Sequence, residues 1–220
     1  MNNLEESKRA VAKKAANDVM NETIIGVGTG STVNYFIEAL AKLPHQIECT
    51  VASSDATKNK LEEFGFYIDD LNTASNFDLY VDGADEATRF GYLIKGGGGA
   101  LTREKILASV TKKFICIIDE TKLVDCLGEF PLPIEVIPTA RSAVARKIVE
   151  LGGIPEWRSN FTTDNHNWIL DVKGLDLTNS YDLESELNNI PGVVTNGIFA
   201  RNKADMLYIG SNQGVEILKC

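Results

Sequence analysis

The chain has 220 residues, of which 44% are hydrophobic and 24% charged, enough apolar material for a core and room for one large or two small domains. Its net charge of -9, with no basic run to offset it, excludes a broad electrostatic surface for nucleic acid or anionic lipid. No apolar run approaches the ~20 residues of a membrane-spanning helix, and the mixed, alanine-rich start MNNLEESKRAVAKKAANDVM has no signal-peptide core, so a cytoplasmic protein is expected.

Residues 4–20 read as an amphipathic helix with Leu4, Val11, Ala15 and Val19 inward and Lys8, Lys13 and Lys14 on a solvated face. Thr23–Val27 is a short buried strand. It runs into Gly28-Thr29-Gly30-Ser31-Thr32 and a helix carrying Val33, Phe36, Ile37 and Leu40 at helical spacing, with Ser31 or Thr32 as its expected N-cap. A second unit follows: strand Ile47–Ala52, capping loop Ser53-Ser54-Asp55, helix Ala56–Phe64. Leu79–Val81, helix Leu101–Val110 and the fully apolar strand Phe114–Ile118 continue the alternation. This order predicts an α/β fold, a Rossmann-like doubly wound, mostly parallel sheet, whose ligands gather at the carboxyl ends of the strands.

Around Phe130-Pro131-Leu132-Pro133 the pattern changes, and the two prolines predict a linker. Strand Ile134–Ile137, helix Ala140–Leu151, extended pieces near Glu156–Arg158 and Trp168–Val172, helix Asp182–Asn188 and strand Val193–Phe199 follow. That β-α-β-β-α-β order predicts a smaller ferredoxin-like domain. Met206–Ile209 is expected to return to the first sheet, giving a division into 1–129 plus 204–220 and 130–203.

The four cysteines show no ligand spacing, so no metal is expected; Cys49 and Cys116 fall in strand-like runs and read as reduced core residues. His45 and His166 both read as surface residues, which leaves a histidine-based mechanism little to draw on. The glycine turn Gly26-Val27-Gly28-Thr29-Gly30-Ser31 fails the dinucleotide fingerprint, because its sixth position is Ser31, and no G-K-[ST] follows. What remains is either a tight turn or a cradle for one phosphate, built from Thr29, Gly30, Ser31, Thr32 and a helix N-terminus.

Asp82-Gly83-Ala84-Asp85 is either a solvated acidic turn or a pair of carboxylates facing one crevice, where each raises the other's pKa. Lys95 followed by Gly96, Gly97, Gly98 and Gly99 is hard to read as a surface linker, since apolar residues flank it closely. Glycines there permit close approach of backbone to a ligand and leave N–H donors uncovered, beside a fixed positive charge. Glu104, in a first helical turn, needs no special explanation alone. With Asp82, Asp85 and Lys95 it becomes a candidate base. Lys122 is a second candidate cation at the sheet edge, or a surface lysine.

These segments together resemble ribose-5-phosphate isomerase of the A type. The resemblance rests on Gly28-Thr29-Gly30-Ser31-Thr32, Ser53-Ser54-Asp55-Ala56-Thr57, Asp82-Gly83-Ala84-Asp85-Glu86, Lys95-Gly96-Gly97-Gly98-Gly99-Ala100-Leu101 with Glu104, Phe130–Val136 and Ala140–Ala143. It covers nearly the whole chain. It implies interconversion of D-ribose 5-phosphate and D-ribulose 5-phosphate in the pentose phosphate pathway, with no metal or organic cofactor, in a homodimer. It implies that Glu104 is the proton acceptor and that Thr29–Thr32, Asp82–Asp85, Lys95–Gly98 and Lys122 line the substrate site. Asp82, ahead of Asp85, is the expected ring opener, Lys95 and the glycine N–H groups the oxyanion donors, and the Ser31-Thr32 helix end the phosphate site. Two other readings stay open: a non-catalytic sugar-phosphate sensor of the same architecture, and a nicotinamide-dependent dehydrogenase, which Ser31 weakens.

Overall fold

A computed structural model describes residues 3–19, 24–44, 47–73 and 78–220. His45 and the expected element ends at Met20 and Thr23 lie outside them. The first part of the chain runs α1 (Asn3–Asp18), β1 (Ile24–Val27), α2 (Ser31–Leu40), β2 (Cys49–Ala52), α3 (Asp55–Glu63), β3 (Leu79–Asp82), β4 (Glu86–Ala87), β5 (Leu93–Ile94), α4 (Leu101–Val110) and β6 (Lys113–Asp119). The second runs β7 (Leu132–Val136), α5 (Arg141–Glu150), β8 (Ile154–Trp157), β9 (Trp168–Lys173), α6 (Ser180–Asn188), β10 (Val193–Asn196), β11 (Ile198–Phe199), β12 (Met206–Ser211) and β13 (Gly214–Lys219).

The main sheet has the order β13-β12-β6-β3-β1-β2 and is parallel except at β13, which pairs antiparallel with β12. Both faces are buried, as the apolar run of β6 requires. Ile115 and Ile117 point into a core shared with α1 and α2, while Phe114, Cys116 and Ile118 point into one shared with α4. Alternate residues of a strand face opposite sides, so every apolar position of β6 is used. The reversal of strand order between β1 and β3 opens a crevice at their carboxyl ends. Cys49 and Cys116 are buried and free, and His166 is exposed.

A second sheet, β10-β7-β9-β8, is wholly antiparallel and carries α5 and α6, the split β-α-β-β-α-β arrangement. Two expectations change here. Leu132 and Pro133 are not a linker but the start of β7, facing Val172 and Asp171 of β9. Proline is tolerated because the β10 ladder ends at Asn196 opposite Ile134. The strand expected over Val193–Phe199 is two strands broken at Gly197, and β11 leaves the second sheet to pair with β5. The crossing is tight: a Cβ on Gly197 would lie 2.3 Å from the Lys95 carbonyl oxygen and 2.9 Å from Pro133 Cδ. β11, β5 and β4 form a small third sheet that fastens the Lys95 segment, and Lys95 N–H donates to Gly197 O at 2.9 Å. β12 returns to β6 as expected, but the β13 hairpin was not foreseen.

Candidate active site

A cleft of about 210 Å³ opens at the carboxyl edge of the main sheet, lined by Lys8, Thr29, Gly30, Ser31, Thr32, Val33, Gly83, Ala84, Asp85, Lys95, Gly96, Gly97, Gly98, Glu104, Ile118, Asp119 and Lys122. Every residue expected at the site is in this wall except Asp82. The loop after β1 supplies one side. Gly30 is itself the N-cap of α2, at φ 120, so neither Ser31 nor Thr32 caps the helix. A side chain is disfavoured at that φ, which is why glycine stands there. Ser31 occupies the first helical position, exposed, with its hydroxyl not engaged in a cap. Thr29 is held from behind by hydroxyl contacts to Ser53 at 2.8 Å, Ser54 at 2.8 Å and Thr57 at 3.1 Å. Thr57 in turn donates to Gly28 O at 2.7 Å.

Asp82 lies beneath the cleft floor with no exposed surface. One carboxylate oxygen accepts from Thr29 N at 3.0 Å and Gly83 N at 2.7 Å; the other accepts from Tyr80 Oη and pairs with Lys95 Nζ at 2.8 Å. Both oxygens are engaged, so the expectation that Asp82 meets the sugar does not match its position. The strand end that carries it points it back under the Gly28 turn. A Cβ on Gly28 would lie 1.9 Å from the Asp82 carboxyl carbon. Gly28→Ala is therefore expected to destabilise the fold by roughly 1–3 kcal/mol through overpacking, read by denaturant unfolding, and to lower turnover by displacing Asp82 from Lys95.

Asp85, by contrast, faces the cleft. Its backbone N–H donates to Ile94 O at 2.8 Å, and its carboxylate accepts from Gly97 N at 2.7 Å, which ties the acidic turn to the glycine loop. The Lys95 ammonium sits at the centre of the floor, donating to Gly83 O at 2.6 Å and lying 3.4 Å from a Glu104 carboxylate oxygen. Burial works against its charge, but Asp82 and Glu104 outweigh burial and hold the ammonium above the ordinary lysine range.

Glu104 projects from the first turn of α4, with Leu101, Leu107 and Ala108 buried along the helix. Glu104 is 4% exposed, and its Oε2 is a buried polar atom without a hydrogen bond among the described residues, the Lys95 contact at 3.4 Å being an ion pair. Charge balance accounts for its state. Lys95 is already neutralised by Asp82, so Glu104 is the surplus negative charge. Burial, against the pull of Lys95 and with the push of Asp82 and Asp85, raises its pKa from 4.5 to about 8.

Lys8 was expected on a solvated face but its side chain is only 14% exposed, lines the cleft, and contacts Glu5 at 3.4 Å. The signal was present: Lys8 lies three and four positions before the buried Val11 and Ala12. Lys122 reaches the cleft from a 3-10 turn, Glu120–Lys122, whose N-cap Asp119 accepts from Thr121 N at 3.1 Å. The arrangement offers a basic carboxylate beside a fixed cation, uncovered backbone donors, and at the mouth two lysines with a helix N-terminus.

The protein-family model described as Ribose 5-phosphate isomerase A (phosphoriboisomerase A) matches residues 49–214. The solved ribose 5-phosphate isomerase A from Neisseria gonorrhoeae is 46% identical, with a TM-score of 0.96 over 98% of this chain and 97% of its own. Its counterpart from Methanocaldococcus jannaschii is 38% identical, with a TM-score of 0.93 over 98% and 99%. A D-ribose-5-phosphate isomerase in complex with phospho-erythronic acid is 39% identical, with a TM-score of 0.95 over the full length of both chains. With a family match over most of its length and full-length structural relatives that share this activity, the chain belongs to the ribose 5-phosphate isomerase A family and interconverts D-ribose 5-phosphate and D-ribulose 5-phosphate.

Proposed function

We propose that Glu104 is the base that takes the proton from C2 of the open-chain aldose and returns it to C1, through an enediolate. The observation that carries this reading is the buried, unbonded Glu104 oxygen at the cleft floor, with basicity raised towards neutrality. A general base works best when its pKa lies near the operating pH. Lys95 and the uncovered glycine N–H groups receive the charge that develops on the oxygens at C1 and C2. Asp85 opens the sugar ring, since it faces the cleft while Asp82 is fully occupied holding Lys95. The ligand of the relative solved with phospho-erythronic acid supports the assignment. A carboxylate offers two oxygens on one carbon much as an enediolate offers two on adjacent carbons, and the same molecule is expected to bind here.

The phosphate sits at the mouth, at the N-terminus of α2 with Ser31, Thr32, Lys8 and Lys122. Lys8→Met is expected to raise KM for ribose 5-phosphate about 10-fold or more, the equivalent of one charge-assisted hydrogen bond, with a much smaller change in kcat. Steady-state kinetics checks it, and an unchanged KM would move the phosphate elsewhere. For the chemical step, turnover in deuterated water is expected to place solvent deuterium at C1 of ribulose 5-phosphate. A product free of solvent deuterium that Glu104→Gln also forms at the wild-type rate would overturn the carboxylate route.

The same reading includes a division of the chain into 1–129 plus 204–220 and 130–203, a cytoplasmic setting and a homodimer. Exposed apolar side chains such as Phe90, Val149 and Ile154 support self-association. Sedimentation equilibrium would return twice the 24.1 kDa chain mass.

A further inference from the structure

The glycine loop that walls the cleft is held from its far side by a residue of the second sheet. Arg158 follows β8, and its backbone N–H donates to Ile169 O at 3.0 Å. Its guanidinium is fixed by a two-pronged pair with Asp171, Nε to Oδ2 at 2.8 Å and Nη2 to Oδ1 at 2.5 Å. The remaining Nη1 donates to two carbonyls of the loop, Gly96 O at 3.3 Å and Gly97 O at 3.1 Å. Phe161, beside the guanidinium at 5.2 Å, packs where a Cβ on Gly99 would lie 2.2 Å from its ring. Arg158 lies in an open groove of about 630 Å³ that shares only Gly97 with the catalytic cleft. The loop is therefore a thin wall with Arg158 behind it and the substrate cleft in front.

The peptide links are trans, and in a trans peptide the carbonyl and the following N–H point in opposite directions. Holding Gly97 O towards Arg158 turns the Gly98 N–H the other way. That N–H has no hydrogen-bond partner among the described residues, and Gly98 lines the cleft. The preceding peptide is pinned at both ends, Gly96 O on Arg158 and Gly97 N–H on Asp85. Gly99 N–H donates to Gly96 O at 2.9 Å and closes the run as a turn, but no bond within that turn fixes its central Gly97–Gly98 peptide, which glycine leaves free to rotate, so an oxyanion donor placed there needs an outside clamp to stay preorganised.

We propose that Arg158 is a positioning residue for the isomerisation: it aims the Gly98 N–H at the oxyanion by gripping the Gly96 and Gly97 carbonyls from behind. This rests on the reading above that glycine N–H groups receive the developing charge. Arg158→Ala is expected to lower kcat about 10- to 100-fold, short of the ~10²–10³ of losing a donor outright, with the inhibition constant of inorganic phosphate unchanged. Guanidinium ion, which can enter the open groove, restores part of the lost kcat.

The test compares phospho-erythronic acid with erythritol phosphate, its counterpart that keeps the phosphate and lacks the carboxylate. Wild type binds the acid more tightly, and Arg158→Ala loses most of that preference. If wild type has no preference, the oxyanion reading fails, and this inference with it. If wild type prefers the acid and Arg158→Ala keeps both the preference and a kcat within about 3-fold, Arg158 has no such role while the oxyanion reading stands. A rise of the phosphate constant in step with the loss of kcat would mark a merely structural residue and overturn the proposal. Should Arg158→Ala fail to fold, Arg158→Lys decides. A lone ammonium cannot serve Asp171 and both carbonyls, so its kcat falls with the phosphate constant intact, and an unchanged kcat overturns the proposal.

Discussion

Replacing Glu104 by Gln is expected to lower kcat by about 10²–10⁴-fold, the usual contribution of a positioned general base, and at the same time to make the protein more stable near pH 8. The two effects have one origin. Glu104 is the unbalanced charge in a buried group where Asp82 already neutralises Lys95. Its folded pKa of about 8 stands above the ordinary 4.5, so the folded state binds its proton more tightly than the unfolded chain does. The stability associated with that proton is fully present below about pH 4.5. It declines as pH rises and is lost above about pH 8. Glutamine does not titrate, so the variant gains on the wild type across that window, by on the order of 1.4 kcal/mol for each pH unit crossed. Denaturant unfolding at pH 5 and pH 8 measures the difference, and a constant gap between the two proteins would show that Glu104 does not hold its proton in the free enzyme. The wild-type kcat/KM profile tests the same pKa, rising with pH to a plateau above about pH 8 as the carboxylate forms. Normal turnover by Glu104→Gln would remove Glu104 from the chemistry altogether.

Lys95→Met is expected to be the most destabilising single change at the site, by roughly 3–5 kcal/mol, because it strands Asp82 as a buried charge without its cation. Tyr80 and two backbone N–H groups would still bond Asp82, but they supply no countercharge. Removing Lys95 also removes the cation that lowers the Glu104 pKa, so burial and the two aspartates would push that carboxyl further from ionisation. Activity is then lost twice over, through the missing oxyanion partner and a base that stays protonated. Adding Asp82→Asn to Lys95→Met should recover much of the stability, since the stranded charge is gone, and none of the activity. Thermal and denaturant unfolding of the single and double variants form the cycle that measures the coupling. A single variant within about 1 kcal/mol of wild type would mean that water or a rearranged partner satisfies Asp82.

Gly28 belongs to the same cluster. It resembles part of a nucleotide-binding turn, yet its requirement is local: the Asp82 carboxylate fills the space where a side chain would project. The lysine at the centre of the site is held by an acid, and that acid is given room by a glycine more than fifty positions earlier. Substitutions at Gly28, Asp82 and Lys95 should therefore fail additivity, while Lys8→Met at the mouth combines independently with any of them.

The alternation of apolar runs with Gly, Ser and Asp punctuation was enough to read the doubly wound sheet, the split second unit and the return of Met206–Ile209, because periodicity and buried strands are local properties of the chain. Motif chemistry was enough to gather Thr29–Thr32, Asp85, Lys95–Gly98, Glu104 and Lys122 at one sheet edge, since a parallel sheet sends every strand's carboxyl end the same way. What only the tertiary structure decided is which groups face the cleft and which face each other. Asp82 and Asp85 are three positions apart and alike in sequence, but one closes on Lys95 under the floor and the other opens on the cleft. Lys8 was hidden among surface lysines, and Arg158 in a second unit carried no motif. Gly197 looked like the middle of a strand until the crossing chain left no space for a Cβ. In each case the deciding quantity is the distance to atoms remote in sequence, and the surplus charge that makes Glu104 basic exists only once Asp82, Lys95 and Glu104 are buried together.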